Sequence, residues 1–459
     1  MKLQQKIQTI RQISDAFMTS HLTARAWIEE MIEYAKDEVF KSVFCTLSLE
    51  QAPIAAGAAD KRRLAGKRIG ICDGIPIVWK DVFAQKGFKN QAASFVLHNA
   101  PLEQQDCVAV QCLEGAGMYS LGRTNMSEFA FSGVGLNPHF GTPQNVWSQD
   151  EALIPGGSSS GSAIAVAQGL APVGMGSDTS GSIRIPAALN GLVGFKPSSA
   201  RISKQGVFPL SPSLDSVGVI THTIDDLLIV LDNFGFQSKN LSQQQKFIIP
   251  RNLEQMSIEP AIAKSFEASI KKLCDDGFDI QEQNIKAFDE AQKLFVQYGT
   301  LVAIEGYISL MPKLKSFDSK KIDPLIWSRL IQQKDWQAEN LAHLLWQRGK
   351  LMRQLEAEIG KALLLMPTTT IRAVPIAKVA NDLEKFSSVN KQILSLTMLG
   401  SFLDMPSLAL PTGISDGVHP DSIMVSGCIN NDEQVLTAGR ALAKIFFNDE
   451  PLNNLRIDN

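Results

Sequence analysis

The sequence predicts an α/β fold, in which helices pack on the faces of a β-sheet. In the first half of the chain, short apolar runs typical of strands alternate with helical segments, for example at 172–176, 183–190 and 192–196. From about 235 to 360, long and charged helical segments dominate instead. We therefore predict one large α/β domain that carries a helical insertion in its second half.

The individual elements follow from the spacing of apolar residues. Two amphipathic helices, 3–18 and 24–37, open the chain, and Thr23 is a plausible N-cap of the second. The apolar run 74–79 predicts a strand that leads into Lys80. The remaining predicted elements are helices 106–115, 161–168 and 432–447, strands 118–121, 362–366, 407–410 and 422–425, and, in the insertion, helices 261–274, 287–309 and 339–359 with a loop at 312–323.

Composition excludes several classes of protein. The 459 residues include 44 Lys and Arg against 47 Asp and Glu, which leaves a formal charge of −3. Apolar residues make up 44% and charged residues 20%, a balance typical of globular rather than disordered proteins. A charge so close to zero offers no basic surface for a nucleic-acid backbone.

The sequence also indicates a compartment. The N-terminus lacks the uninterrupted apolar core of a secretory signal, and no stretch approaches the ~20 apolar residues of a membrane span. The six cysteines are scattered, so a disulfide framework is not expected. Neither the cysteines nor the six histidines form a zinc-binding pattern. We expect a cytoplasmic protein with no metal site and no membrane contact.

Glycine is unusually dense in one segment. Nine glycines lie between Gly156 and Gly194, roughly three times the average density. Within this segment, a loop of small residues leads into a helix predicted to begin near Ile183, so that Ser182 would lie where backbone N–H groups stabilise negative charge. A serine nucleophile needs a base, and no histidine is near in sequence. Lys80, beside apolar neighbours that would lower its pKa, is a candidate.

Three motifs carry a resemblance to a known family. Lys80 in Ile75–Asp81, Ser158 in Gly156–Ser159 and Ser182 in Ser180–Arg184 occur in this order, and the chain resembles the amidase signature family. The resemblance implies a Ser–cis-Ser–Lys triad in which Ser182 is the nucleophile, Ser158 the bridging serine and Lys80 the base. Further matching segments are 122–129, 194–197 and 213–218.

The resemblance implies the remaining expectations. The fold would be a single mixed β-sheet covered by helices on both faces, in one amidase domain over 1–459 with an N-terminal helical segment 1–60, a core 65–230 and a variable insertion 235–360. The activity would be hydrolysis of a small linear amide without cofactor, metal, nucleic acid or membrane. A homodimer is compatible with the sequence. The backbone amides of the oxyanion hole would be those of Thr179, Ser180, Gly181 and Ser182, and the candidates for substrate contact are Thr124, Asn125 and Met126.

Some residues depart from the family pattern, and other functions stay open. Segment 90–94 replaces residues usually rich in Thr and Gly, and Ser180 replaces a common glycine. Gly157–Gly161 also fits the nucleophile elbow of α/β-hydrolases, with Ser159 as nucleophile and Asp215 and His222 as partners. The chain also resembles the A-type glutaminase subunit of tRNA-dependent amidotransferase complexes. A catalytically silent binding protein is a third alternative.

Overall fold

A single β-sheet organises the protein. The computed structural model describes residues 8–19, 22–237, 245–315, 317–447 and 450–454. The strands are β1 (Phe44–Leu47), β2 (Pro76–Lys80), β3 (Tyr119–Thr124), β4 (Val173–Asp178), β5 (Val193–Lys196), β6 (Ser216–Thr221), β7 (Lys246–Pro250), β8 (Asp279–Gln283), β9 (Leu363–Pro367), β10 (Ser407–Gly413) and β11 (Asp421–Ser426).

The eleven strands form one sheet in the order β1-β3-β2-β4-β6-β5-β10-β11-β9-β7-β8. Strand β2 runs parallel to β3 and β4, and β7 runs parallel to β8 and β9, whereas the other neighbouring pairs are antiparallel. The prediction of a mixed sheet in an α/β fold is confirmed.

The described part of the chain also contains fifteen α-helices. They are α1 (Ile10–Met18), α2 (Ala24–Ala35), α3 (Gln51–Leu64), α4 (Val108–Gly115), α5 (Ser160–Ala167), α6 (Arg184–Leu189), α7 (Ile224–Asp232), α8 (Pro260–Asp275), α9 (Lys286–Tyr298), α10 (Leu301–Leu314), α11 (Pro324–Ile331), α12 (Ala338–Ile359), α13 (Ile376–Val379), α14 (Leu383–Phe402) and α15 (Asp432–Phe446). Every residue of β2, β3, β4 and β6 is buried, which is typical of strands covered on both faces.

The predicted helical insertion is not entirely helical. Two of its segments, β7 and β8, pair with each other and extend the sheet beyond β9. The helix predicted at 287–309 is two helices, α9 and α10, which meet at a bend of 47°. Gly299 lies at the break with φ +78°, a conformation that a continuing helix cannot contain.

Smaller corrections apply at the ends of predicted elements. The first helix begins at Ile10, and residues 3–7 of the prediction lie outside the described residues. The second helix agrees with its prediction, because Thr23 accepts a hydrogen bond from the Ala26 N–H as N-cap. The segment 1–60 also contains strand β1, and α10 continues to Leu314, into the predicted loop.

Within the described residues, no single helix has the length and hydropathy of a membrane span. The bent pair α9 and α10 reaches these values only when its two helices are taken together, by length and composition alone.

Two alanines hold a backbone conformation that favours glycine. Ala92 and Ala93 both have φ +48°. Their N–H groups donate to the carbonyl oxygen and the Oδ2 of Asp81, each over 2.9 Å. The left-handed region costs a residue with a Cβ about 1 kcal/mol or more. Asp81 therefore holds a strained turn beside Lys80, in the segment where the family pattern usually has glycine.

We expect Ala93→Gly to stabilise the protein by about 0.5 to 1 kcal/mol, because glycine adopts this φ without a steric cost. The measurement is the urea midpoint or the melting temperature. The matched control is Ala58→Gly inside α3, where glycine should instead destabilise by about 1 kcal/mol. Destabilisation of similar size by both variants would contradict the strained turn.

Candidate active site

Lys80 lies where two neighbouring parallel strands of the sheet have their carboxyl ends. It is the last residue of β2, and Asp178 is the last residue of the neighbouring strand β4. Trp79 pairs with Met175 in register, so Lys80 lies beside the residues that immediately precede Asp178. The carboxyl ends of parallel strands are a common position for ligand sites in α/β sheets.

The Lys80 amine contacts two serines in the interior. Its Nζ lies 2.7 Å from Ser158 Oγ, 2.8 Å from Ser177 Oγ and 3.2 Å from the Ser177 carbonyl oxygen. The side chains of Lys80 and Ser158 are both fully buried. The structure therefore brings together two of the three residues predicted to act in catalysis.

The segment around Ser158 packs tightly against β4. The peptide bond between Gly157 and Ser158 is cis. Helix α5 begins two residues later and contacts β2, β3 and β4. A Cβ at Gly176 would lie 2.7 Å from Ser159 Oγ, so only glycine allows this close approach. The Ser159 N–H donates to the Ser182 carbonyl oxygen over 3.2 Å, which connects the bridging segment to the predicted nucleophile.

The loop that carries Ser182 folds around the carboxylate of Asp178. The Gly181 N–H donates to Asp178 Oδ1 over 2.7 Å, and the Ile183 N–H donates to Oδ2 over 3.1 Å. Arg184 completes the arrangement through a buried ion pair of 3.0 Å with the same carboxylate. The Gly181 N–H, one of the four amides predicted for the oxyanion hole, therefore has the Asp178 carboxylate as its acceptor in this structure, and its role in the oxyanion hole stays a prediction.

Helix α14, which the sequence analysis did not identify, braces the same loop. Thr397 Oγ1 donates to the Ser180 carbonyl oxygen over 2.6 Å. Gly181 has φ +139°, and a Cβ there would overlap Thr397 Oγ1. The Ser180 hydroxyl is buried without a hydrogen-bond partner in the described part of the chain. The backbone of this residue, rather than its side chain, is what the loop uses.

Asp215 supports the other end of the loop. Its Oδ1 accepts from Thr179 Oγ1 over 2.6 Å, and its Oδ2 accepts from the N–H groups of Leu210 and Ser211, each over 3.0 Å. Burial raises the pKa of Asp215, although these hydrogen bonds oppose the rise. The loop 178–184 is thus fixed at both ends by buried carboxylates.

Burial determines the proton affinity of the lysine. It lowers the pKa of Lys80 to about 7, against the opposing effect of the carboxylates of Asp178 and Asp215. Burial alone would raise the pKa of Asp178, but the Arg184 guanidinium reverses this and holds it below its usual value. Lys80 can therefore be neutral near neutral pH beside an ionised Asp178.

The candidates for substrate contact have structural partners. Thr124 Oγ1 lies 2.7 Å from Ser162 Oγ, and Asn125 Nδ2 donates to the carbonyl oxygens of Ser42 and Gly141. The polar groups of Thr124 and Asn125 therefore bind other parts of the protein, and their contact with substrate stays a prediction. Met126 is fully buried, and its contact with substrate stays a prediction.

The nucleophile-elbow alternative does not assemble a triad. Ser159 Oγ donates to the Ser177 carbonyl oxygen over 3.4 Å. His222 Nε2 lies 2.6 Å from the Val166 carbonyl oxygen, and Asp215 binds Thr179. Each of the three residues has a different partner, so this alternative is wrong as an arrangement of residues.

Two residues near the site were missed by sequence reasoning. Ser177 directly follows the strand predicted at 172–176, and the observed pairing of that strand with β2 places it beside Lys80. No sequence pattern indicated Thr397, because it lies more than 200 positions after Ser180 in a helix that the sequence analysis did not predict.

The chain is similar to known proteins over most of its length. The family model described as Amidase matches residues 27–436. The chain is 28% identical over 421 residues to 2-amino-5-chloromuconic acid deaminase of Comamonas testosteroni, covering 88% of this chain and 89% of the relative. A crystal structure described as an amidase has a TM-score of 0.84 and 28% identity, and the match covers 95% of this chain and 99% of the other.

A second group of relatives matches over a shorter length. The A-type subunit of glutamyl-tRNA(Gln) amidotransferase from Cupriavidus taiwanensis is 38% identical over 237 residues. This match covers 51% of the present chain and 46% of the relative, so the chain spans about half the length of that protein.

We expect Asp178→Asn to destabilise the protein by about 3 kcal/mol, because it leaves the buried Arg184 guanidinium without its counter-charge. The measurement is the free energy of unfolding or the melting temperature. The matched control is Asp225→Asn, which breaks the exposed pair with Arg440 and should cost less than about 1 kcal/mol. Equal losses in the two variants would contradict the role given to Asp178.

Proposed function

Because the chain belongs to the amidase family of C–N hydrolases, we propose that it hydrolyses a small linear amide through an acyl-enzyme on Ser182, with Ser158 and Lys80 relaying the proton. The observation that carries this proposal is the 2.7 Å contact between Ser158 Oγ and the buried Lys80 amine. Burial lowers the pKa of that amine to about 7, which suits a general base at neutral pH.

The contacts of Lys80 fit a neutral amine. A neutral amine has two N–H donors and one lone pair. The two donors can serve the carbonyl oxygen and the Oγ of Ser177, at 3.2 and 2.8 Å. The lone pair is then directed to the Ser158 hydroxyl, which becomes the donor in that contact. Ser177 is therefore a positioning residue for the base.

The reaction proceeds in two halves. As Ser182 Oγ attacks the amide carbonyl carbon, its proton passes to Ser158 Oγ while the Ser158 proton passes to Lys80 Nζ. The tetrahedral intermediate then collapses, and the proton returns through Ser158 to the leaving nitrogen. The C–N bond breaks and an ester remains on Ser182. Water, activated by the same relay, hydrolyses that ester to the acid.

The oxyanion hole is proposed to use backbone amides of the loop that ends at Ser182. The proposed donors are the N–H groups of Thr179, Ser180, Gly181 and Ser182, of which the Gly181 N–H also donates to Asp178. Preorganised donors of this kind stabilise developing charge without reorganisation, since the loop is already held at both ends.

The remaining expectations are proposals as well. All six cysteines are free thiols, which supports a reducing compartment such as the cytoplasm. The name of the relative from Comamonas testosteroni suggests a small organic acid as substrate. Independence of metal, cofactor, nucleic acid and membrane stays a prediction, and so does the homodimer.

A glutaminase component of a tRNA-dependent amidotransferase is the second candidate. The 38% identity to such a protein favours it, but that match spans about half of each chain. The deaminase and the amidase structure match nearly the full length instead. Release of ammonia from glutamine, with no activity on other amides, would favour this second candidate.

We expect Ser182→Ala to lose at least about a thousandfold in kcat, because it removes the nucleophile. Ser158→Ala and Lys80→Met should lose about a hundredfold or more, because each interrupts the relay. The measurement is ammonia release from a panel of simple linear amides, with each variant's melting temperature as the check on folding.

The matched control is Ser160→Ala, two positions after Ser158. Its hydroxyl is also buried but has no hydrogen-bond partner among the described residues. This variant should keep its activity within about threefold. Full activity in folded Lys80→Met, or loss in Ser160→Ala as large as in Ser158→Ala, would contradict the proposed relay.

A further inference from the structure

Two cations of the insertion lie over aromatic rings. The Arg329 guanidinium, on α11, is 4.5 Å from the centre of the Phe131 ring. The Lys313 amine, on α10, is 4.1 Å from the centre of the Phe208 ring. Phe208 also stacks on Phe129. The two helices thus place one cation each over a set of three rings, Phe129, Phe131 and Phe208, which we call the aromatic wall.

Among the described residues, neither cation is paired with a carboxylate. Burial is the only cause that lowers the pKa of Arg329 to about 10, and likewise the only cause that lowers the pKa of Lys313, so no carboxylate of the described residues counteracts either shift. Arg329 Nη1 is buried without a hydrogen-bond partner in the same part of the chain.

Two fully buried arginines of this protein, Arg184 and Arg123, are paired with carboxylates. Arg184 lies 3.0 Å from Asp178, and Arg123 lies 2.7 Å from Asp81. Arg329 is only partly buried as a residue, but its Nη1 is enclosed. An enclosed charged donor without an acceptor is costly, so its retention points to a charge supplied from outside the chain. In this protein, the group that lacks a counter-charge among the described residues is the Arg329 guanidinium.

The aromatic wall is bonded to the segment of Lys80. The Phe208 N–H donates to the Val82 carbonyl oxygen over 2.7 Å, two residues after Lys80. The Phe129 N–H donates to the Ala92 carbonyl oxygen in the strained turn that Asp81 holds.

The ring under Arg329 is connected to the bridging serine. Phe131 precedes Ser132, whose carbonyl oxygen accepts from Ser127 Oγ over 3.1 Å. The Ser127 N–H in turn donates to the Ser158 carbonyl oxygen over 3.1 Å. Arg329 therefore stands over a segment that is itself attached to the proposed proton relay.

We propose that the substrate is an amide that carries a carboxylate, and that Arg329, assisted by Lys313, binds this carboxylate while the amide reaches Ser182. The inference rests on the proposed amide hydrolysis and adds its substrate class. A guanidinium presents a planar fork that matches one carboxylate, and the rings of Phe129, Phe131 and Phe208 suit the apolar atoms between the two groups.

The test compares acid amides with neutral amides of the same length. Malonamate, succinamate and glutaramate differ from propionamide, butyramide and pentanamide only in a carboxylate that replaces a methyl group. We expect kcat/KM of the wild type for the best acid amide to exceed that for its neutral counterpart at least about tenfold. N-acetylglycine against N-ethylacetamide tests a carboxylate on the leaving group instead.

Arg329→Gln should lower kcat/KM for the acid amide by about 10- to 100-fold, mainly through KM, and change the neutral amide less than about threefold. For the acid amide, Arg329→Lys should have a kcat/KM between those of the wild type and Arg329→Gln, because it keeps the charge but loses the planar fork of the guanidinium. The matched control is Arg251→Gln, which removes an exposed arginine of the same insertion that pairs with Glu282, and which should change neither substrate.

A binding measurement keeps the inference testable without turnover. In Ser182→Ala, malonate, succinate or glutarate should raise the melting temperature, and adding Arg329→Gln should abolish that rise. Hydrolysis of neutral amides that depends on Ser182, with no preference for acid amides and no carboxylate binding, would overturn the inference and leave the proposed function standing. Carboxylate binding that needs Arg329, with no amide cleaved, would overturn the proposed function instead.

Discussion

Burial of the Lys80 amine removes the water that would otherwise stabilise its ammonium form, and the rest of the site depends on this. The amine lies at the end of β2, where strand register places it beside Ser177, and the close approach of α5 to β4 brings Ser158 within 2.7 Å. With its pKa near 7, this amine can accept a proton without a histidine.

The ion pair of Asp178 and Arg184 has two consequences for the same site. The carboxylate orders the loop before Ser182, because it accepts the Gly181 and Ile183 N–H groups. Its negative charge also opposes the lowering of the Lys80 pKa. Arg184 keeps Asp178 ionised and so keeps the loop folded. The Asp178 carboxylate therefore stabilises the loop and at the same time favours the protonated form of Lys80.

The sequence predicted the contact of Lys80 with Ser158 only through the resemblance of their two motifs to the family pattern, and the structure places the Lys80 Nζ 2.7 Å from Ser158 Oγ. It could not assign the Gly181 N–H, whose acceptor depends on how the Asp178 side chain turns inside the loop. Strand β8 was missed because its Asp279–Gln283 segment is polar and mostly exposed, without an apolar alternation. The helix break at Gly299 was hidden within a continuous apolar pattern.

The most direct measurement is the rate at which an alkyl fluorophosphonate labels the protein, located by peptide mass spectrometry from about pH 5 to about pH 9. The account predicts an adduct on Ser182 that forms more slowly as the pH falls through about 7, because the protonated Lys80 amine cannot accept a proton. In Lys80→Met, labelling should be slow at every pH. An adduct on Ser159, or an unchanged rate and pH dependence in Lys80→Met, would contradict it.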